Sequence, residues 1–76
     1  MEQKMKFRRV GDWVLEWNSE SPRTVLAHPE YLKINRMTCD GLLWDSGVIA
    51  WDYPERVPAY VRNVAAGFVR KCNGVK

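Results

Sequence analysis

The sequence predicts a small α+β domain, an antiparallel sheet of two hairpins plus one or two short strands with a C-terminal helix packed on one face. Three observations predict it. Turn residues separate short apolar runs at two places, Gly11-Asp12 and Asp45-Ser46-Gly47. An apolar stripe with helical spacing occurs only near the C-terminus. Of the 76 residues 46% are apolar, enough for one core and too many for a disordered chain, so residues 1–76 read as a single domain.

Residues 5–17 read as the N-terminal hairpin. Met5-Lys6-Phe7-Arg8-Arg9-Val10 runs into Gly11-Asp12 and returns as Trp13-Val14-Leu15-Glu16-Trp17. A two-residue loop with glycine first suits a type II′ turn. That register sets Val10 opposite Trp13, Arg8 opposite Leu15 and Lys6 opposite Trp17, all on one surface of the ribbon. Met5, Phe7, Arg9, Val14 and Glu16 take the other surface. Ser19-Glu20-Ser21-Pro22 is a loop by composition. Thr24-Val25-Leu26-Ala27 reads as a short third strand, interrupted by His28-Pro29 because a residue before proline avoids the helical region. Tyr31–Asn35 fits either a strand or one helical turn after Pro29, and strand is the preferred reading.

The second hairpin spans 41–51. Leu42-Leu43-Trp44 and Val48-Ile49-Ala50-Trp51 flank a three-residue loop with glycine last, which fits a type I turn plus a bulge. Leu42, Trp44, Val48 and Ala50 fall on one face, and Leu43, Ile49 and Trp51 on the other. Apolar residues on both faces place the hairpin centrally in its sheet. A chain this short has little material for two covers, so one face is expected to be partly open and available to a partner.

Pro54-Glu55-Arg56-Val57 reads as a turn leading into a helix at about 58–72, with Pro58 at the first helical position. Val61, Val64, Ala65, Phe68 and Cys72 form its apolar stripe. Arg62, Asn63, Ala66 and Arg70 lie opposite, and Asn73-Gly74 stops it. Residues 1–3 and 74–76 read as mobile tails.

The net charge is +3, and its distribution is uneven. Lys4, Lys6, Arg8 and Arg9 face only Glu2 in the first ten residues, while Arg62, Arg70, Lys71 and Lys76 carry the last sixteen. Cationic ends around a slightly acidic middle suit nucleic acid or an acidic protein surface. No run approaches the ~20 apolar residues of a membrane helix, and no apolar h-region follows the first residues. A cytoplasmic location without membrane association is expected. Cys39 and Cys72 are isolated and read as reduced thiols, and His28 is the one histidine, so no metal-ligand spacing exists.

Catalytic patterns are missing as well. His28 has no spacing that couples it to either cysteine, and there is no Gly-x-Ser-x-Gly. Asp40, Asp45 and Asp52 flank the second hairpin as turn and loop residues. The five glycines never approach a dinucleotide or phosphate-loop pattern. The reading is of a non-enzyme with no cofactor and no metal.

The four tryptophans, Trp13, Trp17, Trp44 and Trp51, all fall on expected strands. They serve either as core, since tryptophan brings much area per residue, or as a surface. On the second reading Trp13 and Trp17 look outward, framed by Lys6 and Arg8, and stack bases or anchor a protein contact. Lys4 and Arg9 belong to the same cationic N-terminal stretch and join the expected contact, and Arg62 with Arg70 supplies a second patch. Arg70 and Lys71 also complement the dipole at the helix C-terminus.

In size and in its wealth of Trp and Arg without catalytic motifs, the whole chain resembles the small proteins with which bacteriophages seize host machinery. Several of those dock on bacterial RNA polymerase. The resemblance implies a larger protein as partner, with host RNA polymerase the first expected, and a regulator that alters transcription; the chain is read separately as a monomer in preference to a dimer. It assigns no role to any residue. A nucleic-acid-binding module using the basic, aromatic hairpin is the alternative.

Overall fold

The computed structural model describes residues 4–30 and 38–74. Five strands, β1 (Met5–Val10), β2 (Trp13–Asn18), β3 (Thr24–Pro29), β4 (Cys39–Leu43) and β5 (Ile49–Trp51), form one antiparallel sheet in the order β1-β2-β3-β4-β5. A 3₁₀ turn (Pro54–Arg56) leads to helix α1 (Ala59–Cys72), which packs across one face. The α+β class expected from the sequence is therefore the observed one. Among the described residues, no helix is long and apolar enough to cross a membrane. The segment 31–37, expected as strand or helical turn, and the tail residues 1–3 and 75–76 lie outside the described residues.

The first hairpin keeps the expected register: Val10 pairs Trp13, Arg8 pairs Leu15 and Lys6 pairs Trp17. Gly11 takes the positive φ of 60° that a type II′ turn demands at its first central residue. In the second hairpin Leu43 pairs Ile49 and Gly41 pairs Trp51, and Gly47 has φ 88°, the left-handed residue of the bulge. This hairpin is not central. β5 is an edge strand, and only one of its apolar faces is covered.

β3 runs two residues further than expected, with Val14 opposite His28 and Trp13 opposite Pro29. The preference that keeps a residue before proline out of the helical region equally favours extended backbone, so His28 continues the strand. Antiparallel ladders alternate, and the Glu30 N–H donates to the Asp12 carbonyl at 2.8 Å. The ring nitrogen of Pro29 therefore faces away from β2, beyond the last β3–β4 pair, Ala27 with Cys39. No ladder bond is lost there.

The core is Leu15, Trp17, Val25, Ala27 and Cys39 from the sheet, Val57 from the lead-in, and Val61, Ala65 and Val69 from α1. Val64, Phe68 and Cys72 are half-buried against it. The helix is thus rotated relative to the expected stripe: Val69, absent from that stripe, is fully buried. Pro58 is the N-cap and not the first helical residue. Gly41 is buried where β4 pairs with β5, opposite Trp51, and a Cβ there would stand 2.6 Å from the Ile49 side chain and 3.0 Å from the Trp51 ring.

Trp17 is only 5% exposed, and its indole N–H donates to the Pro22 carbonyl at 2.9 Å. Trp13 is half-buried against the same core. The surface of the first hairpin that carries Trp13, Leu15 and Trp17 faces α1, so the expectation of outward-looking indoles is corrected. A small core draws in its largest side chains because each buries the most area.

On the opposite face of the sheet, His28 is buried with both ring nitrogens engaged. Nε2 meets the Glu16 carboxylate, and Nδ1 stands 3.2 Å from the Pro29 carbonyl.

Two stability predictions follow from this packing. Leu15→Ala, which opens a cavity under the helix, should cost about 2–5 kcal/mol in urea unfolding, whereas Phe7→Ala on the surface should stay within about 0.5 kcal/mol. Gly41→Ala should cost about 1–3 kcal/mol by overpacking, although alanine suits a strand no worse than glycine.

Candidate binding surface

With the indoles in the core, the cationic side chains are redistributed around the sheet. Lys6 and Arg8 alternate along β1 on its helix side and are exposed. Lys6 Nζ lies 5.8 Å from the Trp17 ring centroid, so its stem covers the outer rim of the core. From α1, Phe68, Lys71 and Cys72 approach the same place. Together with Phe7 these residues line an open groove of about 380 Å³ between the β1 edge and the last turns of the helix.

Phe68, Lys71 and Cys72 are spaced three and four apart and share one helix face. By periodicity alone Phe68 and Cys72 belong to the core and Lys71 complements the helix dipole. The three-and-four spacing was the available signal that Lys71 joins them, but only the docking angle of the helix shows that this face meets Lys6 and Arg8.

The other candidate residues disperse. Lys4 precedes β1, tied by its backbone to Ser19: its N–H donates to Ser19 Oγ and its carbonyl accepts from the Ser19 N–H, both at 2.9 Å. Arg9 points to the opposite face of the sheet and pairs with Glu30 at 2.7 Å. Arg62 is exposed on the outer side of α1. Arg70 lies eight residues on, about 12 Å along the axis, and borders a separate groove with Arg23, Trp44 and Asn73. Arg62 and Arg70 therefore do not form the single second patch expected of them. Trp13 and Trp17 supply no exposed stacking platform.

Exposed apolar side chains also stand on the sheet face away from the helix, at the β1 edge and at the β4–β5 end. Met5 (50% exposed), Phe7 (59%) and Leu42 (47%) stand there, with Trp44 (58%) and Val48 (63%) beside the β4–β5 turn. The open face expected for the second hairpin is thus present.

Burial pushes both thiols above their ordinary range. For Cys39 the Asp52 charge adds to the effect and Arg56 opposes it; for Cys72, Lys6 and Lys71 oppose it without prevailing. Both are therefore held as neutral thiols, poor nucleophiles at neutral pH. Among the described residues no three His, Cys, Asp or Glu side chains converge as a metal site would require.

No protein-family model matches the chain, and neither a curated protein nor a solved structure matches it.

The thiols yield a prediction with a definite sign. A folded-state pKa above the unfolded value means that the unfolded chain loses its proton first. The stability contributed by the neutral thiols is intact below pH 9.0, the ordinary value, and is lost as pH rises through the higher folded value. Cys39→Val should accordingly show a shallower decline in urea-unfolding stability above that pH than the parent chain.

Proposed function

We propose that this chain is a non-enzymatic regulator that binds a larger protein through the cationic rim formed by β1 and the end of α1. The observation that carries the reading is the convergence of Lys6, Arg8 and Lys71 beside Phe68 on an exposed edge, with the exposed Phe7 ring on the reverse face of the same strand. Cations beside exposed aromatics are the mixture that concentrates binding energy at protein interfaces, and such a rim steers acidic partners. The resemblance in size and composition to phage proteins that seize host machinery makes bacterial RNA polymerase the first partner to test, with altered transcription as the outcome. The mechanism is occupation of a surface, with no covalent step.

Purified bacterial RNA polymerase should be retained at stoichiometric amounts. Arg8→Glu should weaken retention about tenfold, or about 1.4 kcal/mol, while the unfolding midpoint is unchanged. Unchanged retention by Arg8→Glu would place the contact elsewhere, and absence of retention would remove polymerase as the partner.

The nucleic-acid reading keeps one favouring observation, the exposed Phe7 ring on the same cationic edge strand, although it points to the face opposite Lys6 and Arg8. Titration with single-stranded DNA across a salt series decides it. Neutralised phosphates give a log–log slope of about −0.7 each, and no binding at low salt excludes the module.

A further inference from the structure

The two edges of the sheet are unequal. β5 is three residues long, whereas β1 is six, and Met5 through Arg9 are exposed without interruption. The hydrogen-bond phase of β1 follows from its first contact. The Lys4 carbonyl accepts from the Ser19 N–H, so in an alternating antiparallel ladder Lys4, Lys6, Arg8 and Val10 direct their backbone groups toward β2. The N–H and C=O groups of Met5, Phe7 and Arg9 then point outward, away from the sheet. Among the described residues nothing pairs with them.

Side-chain charge limits what can pair there. The strand carries Lys6, Arg8 and Arg9 and no acid. A second copy laid antiparallel on β1 would set these cations against their like, which edge strands use to prevent self-association. The same charges favour an acidic strand.

We propose that the occupant of the β1 edge is an extended acidic segment of the partner protein, which adds as a sixth strand. The inference rests on the reading of this rim as the docking surface and specifies how the partner is held. Toward an added antiparallel strand, Met5, Phe7 and Arg9 form the hydrogen-bonded pairs. Lys6 and Arg8 fall in the non-hydrogen-bonded pairs, where facing side chains come closest, with Cα atoms about 4.5 Å apart. Acids opposite Lys6 and Arg8 point to the helix side, into the groove lined by Phe68, Lys71 and Cys72. The intervening residues extend the open sheet face beside Met5 and Phe7 and are apolar. The segment recognised therefore alternates acidic and apolar residues, main-chain bonds giving affinity and the alternation giving register.

A short synthetic peptide alternating Glu and Val tests this, against a peptide of the same composition with its Glu and Val in separate blocks. Calorimetry should show the alternating peptide binding at least tenfold more tightly. Amide hydrogen exchange of Met5, Phe7 and Arg9 should slow at least tenfold in the complex. Phe7→Pro removes one outward N–H and leaves the bonds to β2; it should weaken binding about tenfold relative to Phe7→Ala. Unchanged exchange at the three amides, equal binding of the block peptide, or equal binding by the two Phe7 variants overturns strand addition. Exchange is read on the unsubstituted chain, so a folding defect in the proline variant does not protect the proposal. Should Arg8→Glu weaken polymerase retention while the three amides stay unprotected, the docking surface stands and the sixth strand falls. Should oligo(dT), and neither peptide, bind with a steep salt dependence, the edge serves nucleic acid and the inference fails.

Discussion

The structure depends on the burial of one sheet face by one helix. Leu15, Trp17, Val25 and Ala27 on the central strands meet Val61, Ala65 and Val69 on α1, and these residues are the bulk of the core. A chain of 76 residues buries a modest share of its surface and has no second helix among its described elements to cover the other side. Apart from His28, which is buried on the far face, much of the surface follows from this arrangement. The large side chains of β2 turn inward, cations gather at the rim, and apolar residues of β1, β4 and β5 remain exposed on the far face.

Trp17 shows how the rim is built. Its indole needs a hydrogen-bond acceptor once buried, and the Pro22 carbonyl in the β2–β3 loop provides it. Asn73 at the helix end donates its side-chain amide to the same carbonyl at 2.7 Å. One carbonyl thus ties together the loop, the core tryptophan and the C-terminus of α1. That fixes where the last helical turn sits and brings Lys71 and Phe68 toward Lys6 and Arg8. Lys6, lying over the Trp17 ring, closes the margin of the core while leaving its charge outside. The bland role of a cationic stem and the functional one are compatible because they use different ends of the side chain.

The elements set by local rules were legible. Gly11-Asp12 and Asp45-Ser46-Gly47 specify tight turns through residues that accept positive φ, and a tight turn fixes the register of both flanking strands. The lead-in at Pro54 and the stop at Asn73-Gly74 follow from proline's missing donor and the helix-end preferences of Asn and Gly. Structure and local rule part where the rule supports two outcomes. The residue before Pro29 avoids helix, which ends a helix but extends a strand. The stripe of α1 admits Val64 and Phe68 or Val69 at its centre, since neighbouring rows differ by a small rotation about the axis.

The sequence by itself determined the fold class, the pairing of the two hairpins, the span of the helix and the cationic character of residues 4–9. Each of these rests on interactions within a turn or a few residues. Only the tertiary structure decided which surface of the first hairpin is buried, and with it that Trp17 belongs to the core and that Lys71 and Phe68 join Lys6 and Arg8. Both surfaces of that ribbon carry apolar residues. The alternation therefore left its inward face undetermined until a helix distant in sequence, bound by a single carbonyl and a shared core, chose one.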